Sequence, residues 1–219
     1  EILQKDGYLT FQACGNWRKT PSYGYVKGFD RTIYRNGLTL GDTLNGFFDH
    51  MRAFPERDNF VWLSFNDLHH LVSFVPEVAN QLGAPLEAHD YYIGHDKSPL
   101  QLDPNPPRAR RFVEELKRID FHLGPLFSFI ETNFDNEEML VAVCSDHGTT
   151  YFTEDPKGLS RERCNVAFML RGGGVPAGRS DELVQNTDIL PTILKLTGTD
   201  TNAHFEGRVP EVLGGPAAR

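Results

Sequence analysis

The order of predicted elements marks this 219-residue chain as an α/β fold, with layered helices around a mostly parallel sheet. Three observations carry that reading. Apolar runs of strand length alternate with stretches of helical period. Three of the strand runs are continuous rather than alternating, as suits strands buried on both faces of a parallel sheet. The composition, 39% hydrophobic and 24% charged, allows a packed core.

Glu1-Ile2-Leu3 reads as the end of a helix. Tyr8 to Cys14 (YLTFQAC) is rich in β-formers and lies between Gly7 and Gly15, so it reads as a short strand. Residues 15–37 carry Gly15, Pro21, Gly24, Gly28 and Gly37 and read as loop, with one short strand at 31–34. Leu40, Leu44, Phe47, Phe48, Met51 and Phe54 fall at helical spacing. Thr39 and Asp42 offer that helix a capping-box start, and Pro55 ends it. Phe60 to Phe65 (FVWLSF) reads as a strand buried on both faces. The proline-rich stretch 83–107 reads as a long surface excursion, of the kind that often carries function. From Arg108 a stripe of Phe112, Leu116, Ile119, Leu123, Leu126 and Ile130 predicts a helix, with Pro125 expected to kink or interrupt it. Met139 to Cys144 is a second buried strand and Val166 to Leu170 a third, followed by a turn at Gly172–Gly174. A helix runs from Asn186 or Thr187 to Leu196, with Pro191 in its first turn.

Lys+Arg 22 against Asp+Glu 30 leaves a net charge of −8. An acidic chain without basic runs is a poor binder of nucleic acid. No run approaches the ~20 apolar residues of a membrane span, and the first residues do not read as a signal peptide. Cys14, Cys144 and Cys164 form no C-x-x-C unit, which argues against a disulfide framework or a zinc knuckle.

Polar clusters follow three of the predicted strands. Ser145-Asp146-His147-Gly148 comes directly after MLVAVC. A carboxylate and an imidazole side by side at a strand's carboxyl end can converge on one cation; the plainer reading is a turn with a capping Asp and a solvated His. Asn66-Asp67-Leu68-His69-His70 follows FVWLSF, where a histidine could protonate a leaving group or hold an anion, or simply sit in a turn. Gly15-Asn16-Trp17-Arg18-Lys19 follows YLTFQAC and offers an amide and a fixed cation suited to a tetrahedral oxyanion; alone it reads as a solvated turn. Their coincidence points to an active site for an anionic ester that uses a divalent metal. The chain has no Walker loop, no GxGxxG and no G-x-S-x-G elbow. Arg171-Gly172-Gly173-Gly174 reads as a turn.

Taken together, these pieces resemble the sulfatase family of the alkaline-phosphatase-like superfamily. GYLTFQACGNWRKTPSYGYVKGFD at 7–30 is similar to that family's GY-x-T…GKWHxG…GFD stretch. NDLHH at 66–70 resembles its histidine motif, Asp120 and Gly124 its "D…G" helix, and SDHG at 145–148 its metal motif. Lys157, Glu162 and Val166 resemble its K…E…VP segment. NTDILPTILKLTG at 186–198 resembles its D-x-x-PT helix, and EGRVPEVLGG the "DG…L-G" that follows. The seven stretches occur in the family's order.

The resemblance implies a hydrolase of sulfate esters, with a small-molecule or glycan anionic ester as partner. Asp146 and His147 would be metal ligands, His69 and Lys157 catalytic, and Asn16 and Arg18 substrate-binding. It implies calcium, whereas an Asp/His pair by itself is at least as natural for zinc or manganese, since calcium prefers oxygen. The family's nucleophile, a C/S-x-P/A-x-R motif, and two metal-binding aspartates lie upstream of the GKWH stretch and have no counterpart in this sequence. The expectation is therefore a single sulfatase-like domain over 1–219 lacking its amino-terminal portion, or a degenerate relative. Asn16 and Arg18 also stand where the family has Lys and His, and a guanidinium cannot serve as a base near neutrality. Two alternatives stay open: a phosphoester hydrolase or phospho-group transferase on the same fold, and a non-catalytic relative. Asp188 reads as a helix N-cap, His204 as a solvated loop histidine, and Asp120 as a partly buried structural carboxylate.

Overall fold

The computed structural model describes residues 1–15, 24–35, 38–68, 107–148 and 159–217. By contacts the chain divides into two compact units, Glu1–Leu126 and Phe127–Thr150 with Lys157–Arg219.

The first unit is built on a parallel sheet. Helix α1 (Ile2–Lys5) leads into β1 (Leu9–Cys14); β2 (Arg31–Tyr34), α2 (Leu40–Ala53) and β3 (Asn59–Ser64) follow. The strand order is β2-β1-β3, with Phe11 opposite both Arg31 and Val61. β1 is thus the central strand, and it is buried from Thr10 to Cys14. The apolar run of β3, expected to be buried on both faces, is instead half-buried throughout. It is an outer strand among the described ones, so it lacks the second neighbour that covers β1. Phe11, Ala13 and Leu38 form a core against which Val61 and Leu63 pack.

Helix α2 starts with the expected capping box: Thr39 accepts from Asp42 N–H, and the Asp42 carboxylate accepts from Thr39 N–H. Its buried face is Leu40, Thr43, Leu44, Phe47, His50 and Met51, the period of a helix lying on a sheet. The approach is close at Gly46, where a Cβ would stand 2.9 Å from Ile33 Cδ1. His50 is 1% exposed and stacks on Phe11. The Asn59 amide nitrogen donates to the carbonyls of Phe54 and Arg57, so its oxygen accepts from His50 Nε2 at 2.8 Å. His50 Nδ1 is left to accept from Arg31 at 3.0 Å. That tautomer is neutral, and burial, aided by the Arg31 charge, holds the His50 pKa below its ordinary value.

Helix α3 (Pro107–Asn133) runs on through Pro125 without interruption. Pro125 is exposed, as is Phe121, the residue whose carbonyl lacks a partner N–H at that position. Ile119, Leu126 and Ile130 are its buried stripe. Asp120, expected to be partly buried, is exposed, because the row Leu116–Asp120–Gly124 turns outward.

In the second unit β4 (Leu140–Cys144) and β5 (Phe168–Gly172) pair antiparallel, with Leu140 opposite Gly172 and Cys144 opposite Phe168. Both had read as buried runs. The observed strands are half-buried, and Met169 is 58% exposed. Gly172 has φ +82°, and a Cβ there would meet Met139 O at 1.8 Å, so the turn after β5 admits only glycine. A four-residue helix α4 (Arg161–Cys164), not expected from the sequence, is capped by the Ser160 side chain accepting from Arg163 N–H. A 3₁₀ turn at Asn186–Asp188 leads into α5 (Ile189–Leu196), whose Pro191, Thr192 and Leu194 are buried. A second 3₁₀ turn follows at Glu211–Leu213.

Candidate active site

Each polar cluster can be followed from the strand that carries it. Gly15 ends β1, and a Cβ there would stand 2.4 Å from the Leu38 carbonyl, so the chain leaves the strand by a path only glycine allows. Two other motif residues of this unit bond each other. Asp30 accepts from Thr10 N–H at 2.8 Å and from Thr10 Oγ1 at 2.9 Å, which lowers the pKa of its carboxyl. The "T" and "D" of the first motif stretch therefore hold β1 to the segment before β2.

At the end of β3, Asn66 donates to Gly15 O at 3.1 Å and so ties the exits of β1 and β3 together. The Asp67 side chain is 1% exposed. It accepts from Leu40 N–H, at the start of α2, at 2.9 Å, and from the Arg118 guanidinium of α3. Glu115 and Asp67 together raise the pKa of Arg118. Both oxygens of Asp67 are thus engaged in structure.

The end of β4 is built otherwise. Ser145 N–H donates to Ala167 O at 3.1 Å, and Ser145 Oγ accepts from Ala167 N–H at 3.0 Å. Gly148 N–H donates to Arg163 O at 2.8 Å. Between these anchors stand Asp146, with its side chain 89% exposed, and His147, 48% exposed. Asp146 Oδ1 accepts from His147 N–H. His147 Nδ1 lies 2.9 Å from Gly148 O. A carbonyl only accepts, so Nδ1 carries a proton and donates it there. Nε2 is 3.8 Å from Asp146 Oδ2. Two donor atoms at that spacing can face one cation, and the donor set, one carboxylate oxygen and one imidazole nitrogen, fits a divalent metal.

Asp146 and His147 are thus brought together as expected. Asn16, Arg18, His69 and Lys157, with the stretch 83–106, lie outside the described residues. Among the described residues no three His, Cys, Asp or Glu side chains gather as a metal site, and Asp146 and His147 stand as a pair. Asp188 is buried, 2% exposed, and stands at the N-cap of α5, but its carboxylate does not cap that helix. It accepts instead from Gln185 N–H at 2.9 Å and Arg208 N–H at 2.8 Å, because the 3₁₀ turn directs it back toward its own start. His204 is exposed, as expected. A residue the sequence did not single out, Asn186, donates from Nδ2 to Asp146 O at 2.7 Å; its place beside Asp188 in the NTD stretch was the only signal.

The sulfatase family model matches residues 1–199. No curated protein matches the sequence. Among solved structures the chain is similar to a protein in the alkaline phosphatase superfamily from Vibrio parahaemolyticus, with a TM-score of 0.66 and 18% identity over 100% of this chain and 50% of that one. At such identity the likeness speaks for the fold, and the chain spans half the length of that neighbour. No described helix is long and apolar enough to cross a membrane. The α/β fold with its parallel three-stranded sheet is one this superfamily uses, and a family match running through nearly all of the described elements makes the chain a member of the sulfatase family.

Proposed function

We propose that residues 1–219 are part of one sulfatase-like domain that hydrolyses sulfate esters with the help of a divalent metal. The observation that carries this reading is the Ser145–Gly148 turn, which sets Asp146 Oδ2 and His147 Nε2 3.8 Å apart at the end of β4 in a member of this family. Sulfatases generally use a divalent metal and act on anionic esters. Asp146 and His147 would hold the metal, which when bound shields the charge of the anion and polarises its oxygens. His69 binds the substrate or protonates the leaving oxygen, Lys157 contacts the anion, and Asn16 and Arg18 supply donors to it. Calcium is the ion the family suggests; the imidazole nitrogen favours zinc or manganese.

No residue of this sequence stands in the nucleophile motif, and an anion without a nucleophile is held but not attacked. The 219-residue chain by itself should therefore show no steady release of sulfate from an aryl sulfate with calcium, manganese or zinc supplied. Steady turnover that disappears in His69→Ala would place the whole machinery within these residues. In the full-length protein, a panel of aryl sulfates and aryl phosphates tests the substrate. Faster phosphate release would reassign the site to phosphoester chemistry. Hydrolysis of neither, with metal still bound at Asp146, would mark a non-catalytic relative in which Asn16 and Arg18 no longer support turnover.

A further inference from the structure

We propose that Asn186 is a positioning residue for the Asp146–His147 turn, seated on a buckle made by the buried Asp188 and by Gly207. The Ser145–Gly148 turn is bonded at its two ends, through Ser145 to Ala167 and through Gly148 to Arg163. Its middle, the main chain of Asp146, is reached by the Asn186 amide at 2.7 Å. The acceptor is a carbonyl, so the group facing it is the amide's nitrogen, and only a donor can serve there.

Asn186 could not hold the turn unless it were itself held. Asp188, two residues on, accepts from Gln185 N–H on one oxygen and from Arg208 N–H on the other. Those two bonds close the 3₁₀ turn Asn186–Asp188 and fasten it to the segment that contains Gly207. At Gly207 the two backbones come close: a Cβ there would lie 1.9 Å from Thr187 O and 2.8 Å from Asp188 N. The carboxylate of Asp188, 2% exposed, is consumed by this fastening and is not a ligand. Rigid support runs from Gly207 and Arg208 through Asp188 to Asn186, and from there to the carbonyl of Asp146. Support of this kind, acting on a ligand's orientation, changes metal affinity without any contact to the metal.

The link to metal rests on the proposed function; the link to the turn does not, and the test separates the two. In the full chain, Gly148 amide exchange and the imidazole nitrogen resonances of His147 report the turn, and paramagnetic broadening of His147 during an Mn²⁺ titration reports the site. Asn186→Leu keeps the volume and removes the donor. It should speed Gly148 exchange by about fivefold and weaken Mn²⁺ binding by about tenfold. Asn186→Gln, which keeps an amide donor, should recover most of both. A merely structural loss would be equal in the two variants, and equal effects overturn the proposal, as does an Asn186→Leu protein unchanged in both readouts. If the wild-type chain shows no broadening by Mn²⁺ but Asn186→Leu still alters the His147 resonances and Gly148 exchange, the buckle stands and the metal reading falls.

Discussion

The ends of β3 and β4 carry clusters of the same kind, a carboxylate close to a histidine just past an apolar strand, and they come to opposite uses. At β3 the Asp67 side chain is 1% exposed and both its oxygens are bonded, to Leu40 N–H and to Arg118. At β4 the Asp146 side chain is 89% exposed and Oδ2 lies 3.8 Å from His147 Nε2. The same residue type is a bonded clasp in one place and an exposed side chain in the other. The difference lies in what surrounds it: α2 and α3 supply donors that enclose Asp67, whereas the groups around Ser145–Gly148 bond backbone and leave the side chains outward. An exposed side chain, rather than a polar letter after a strand, marks the candidate ligand. Two histidines repeat the contrast. His50 has both ring nitrogens hydrogen-bonded inside the fold, and among the described residues His147 is hydrogen-bonded at Nδ1 alone.

The comparison breaks if stability responds alike at the two ends. The largest effect is expected for Asp67→Ala, which leaves Leu40 N–H without its acceptor and Arg118 with Glu115 alone, and should cost about 2–4 kcal/mol, read as a lower urea midpoint. Arg118→Ala leaves the buried Asp67 carboxylate with Leu40 N–H alone and no cation, so it should cost a comparable amount. Next comes Gly15→Ala, which drives a Cβ into the Leu38 backbone and should cost about 1–3 kcal/mol.

A smaller effect concerns pH. His50 is neutral in the fold, with its pKa lowered mainly by burial, so the unfolded chain takes up its proton first. The stability due to neutral His50 is complete above its unfolded value of 6.5 and is lost as pH falls from there through the folded value. The urea midpoint should therefore decline below pH 6.5, and His50→Phe should flatten that decline; an unchanged slope would show that His50 does not titrate with unfolding.

The smallest change in stability, within about 0.5 kcal/mol, is expected for Asp146→Ala and His147→Ala, since neither side chain supports the fold. Metal affinity should move the other way, falling in each by more than the roughly 10- to 100-fold typical of losing an outer-shell partner. Measured side by side, urea midpoints and Mn²⁺ titrations of the Asp67 and Asp146 variants sharpen the contrast: one should lose fold, the other ligand binding. Unchanged metal content in both Asp146→Ala and His147→Ala would remove the metal assignment.

Much of this molecule was legible along the chain because the signals are local. Helix α2 follows from an apolar period and a capping box within three residues, β2 from four residues of Arg31–Tyr34 between glycines, and the Asp146–His147 pair from adjacency. What the local pattern left open depends on neighbours distant in sequence. Continuous apolar runs could not tell central from outer strands, nor parallel from antiparallel pairing, because the number of partners is a property of the sheet; β1 became the buried centre and β3 did not. Pro125 was tolerated because its side of α3 meets water, and Asp120 was exposed for the same kind of reason. The fates of the carboxylates were decided last and farthest away. Asp67 is enclosed by groups 27 and 51 residues distant, and Asp188 by one 20 residues distant. Burial and hydrogen bonding set whether a carboxylate fastens the fold or faces a ligand, and both are set by residues that only folding brings near.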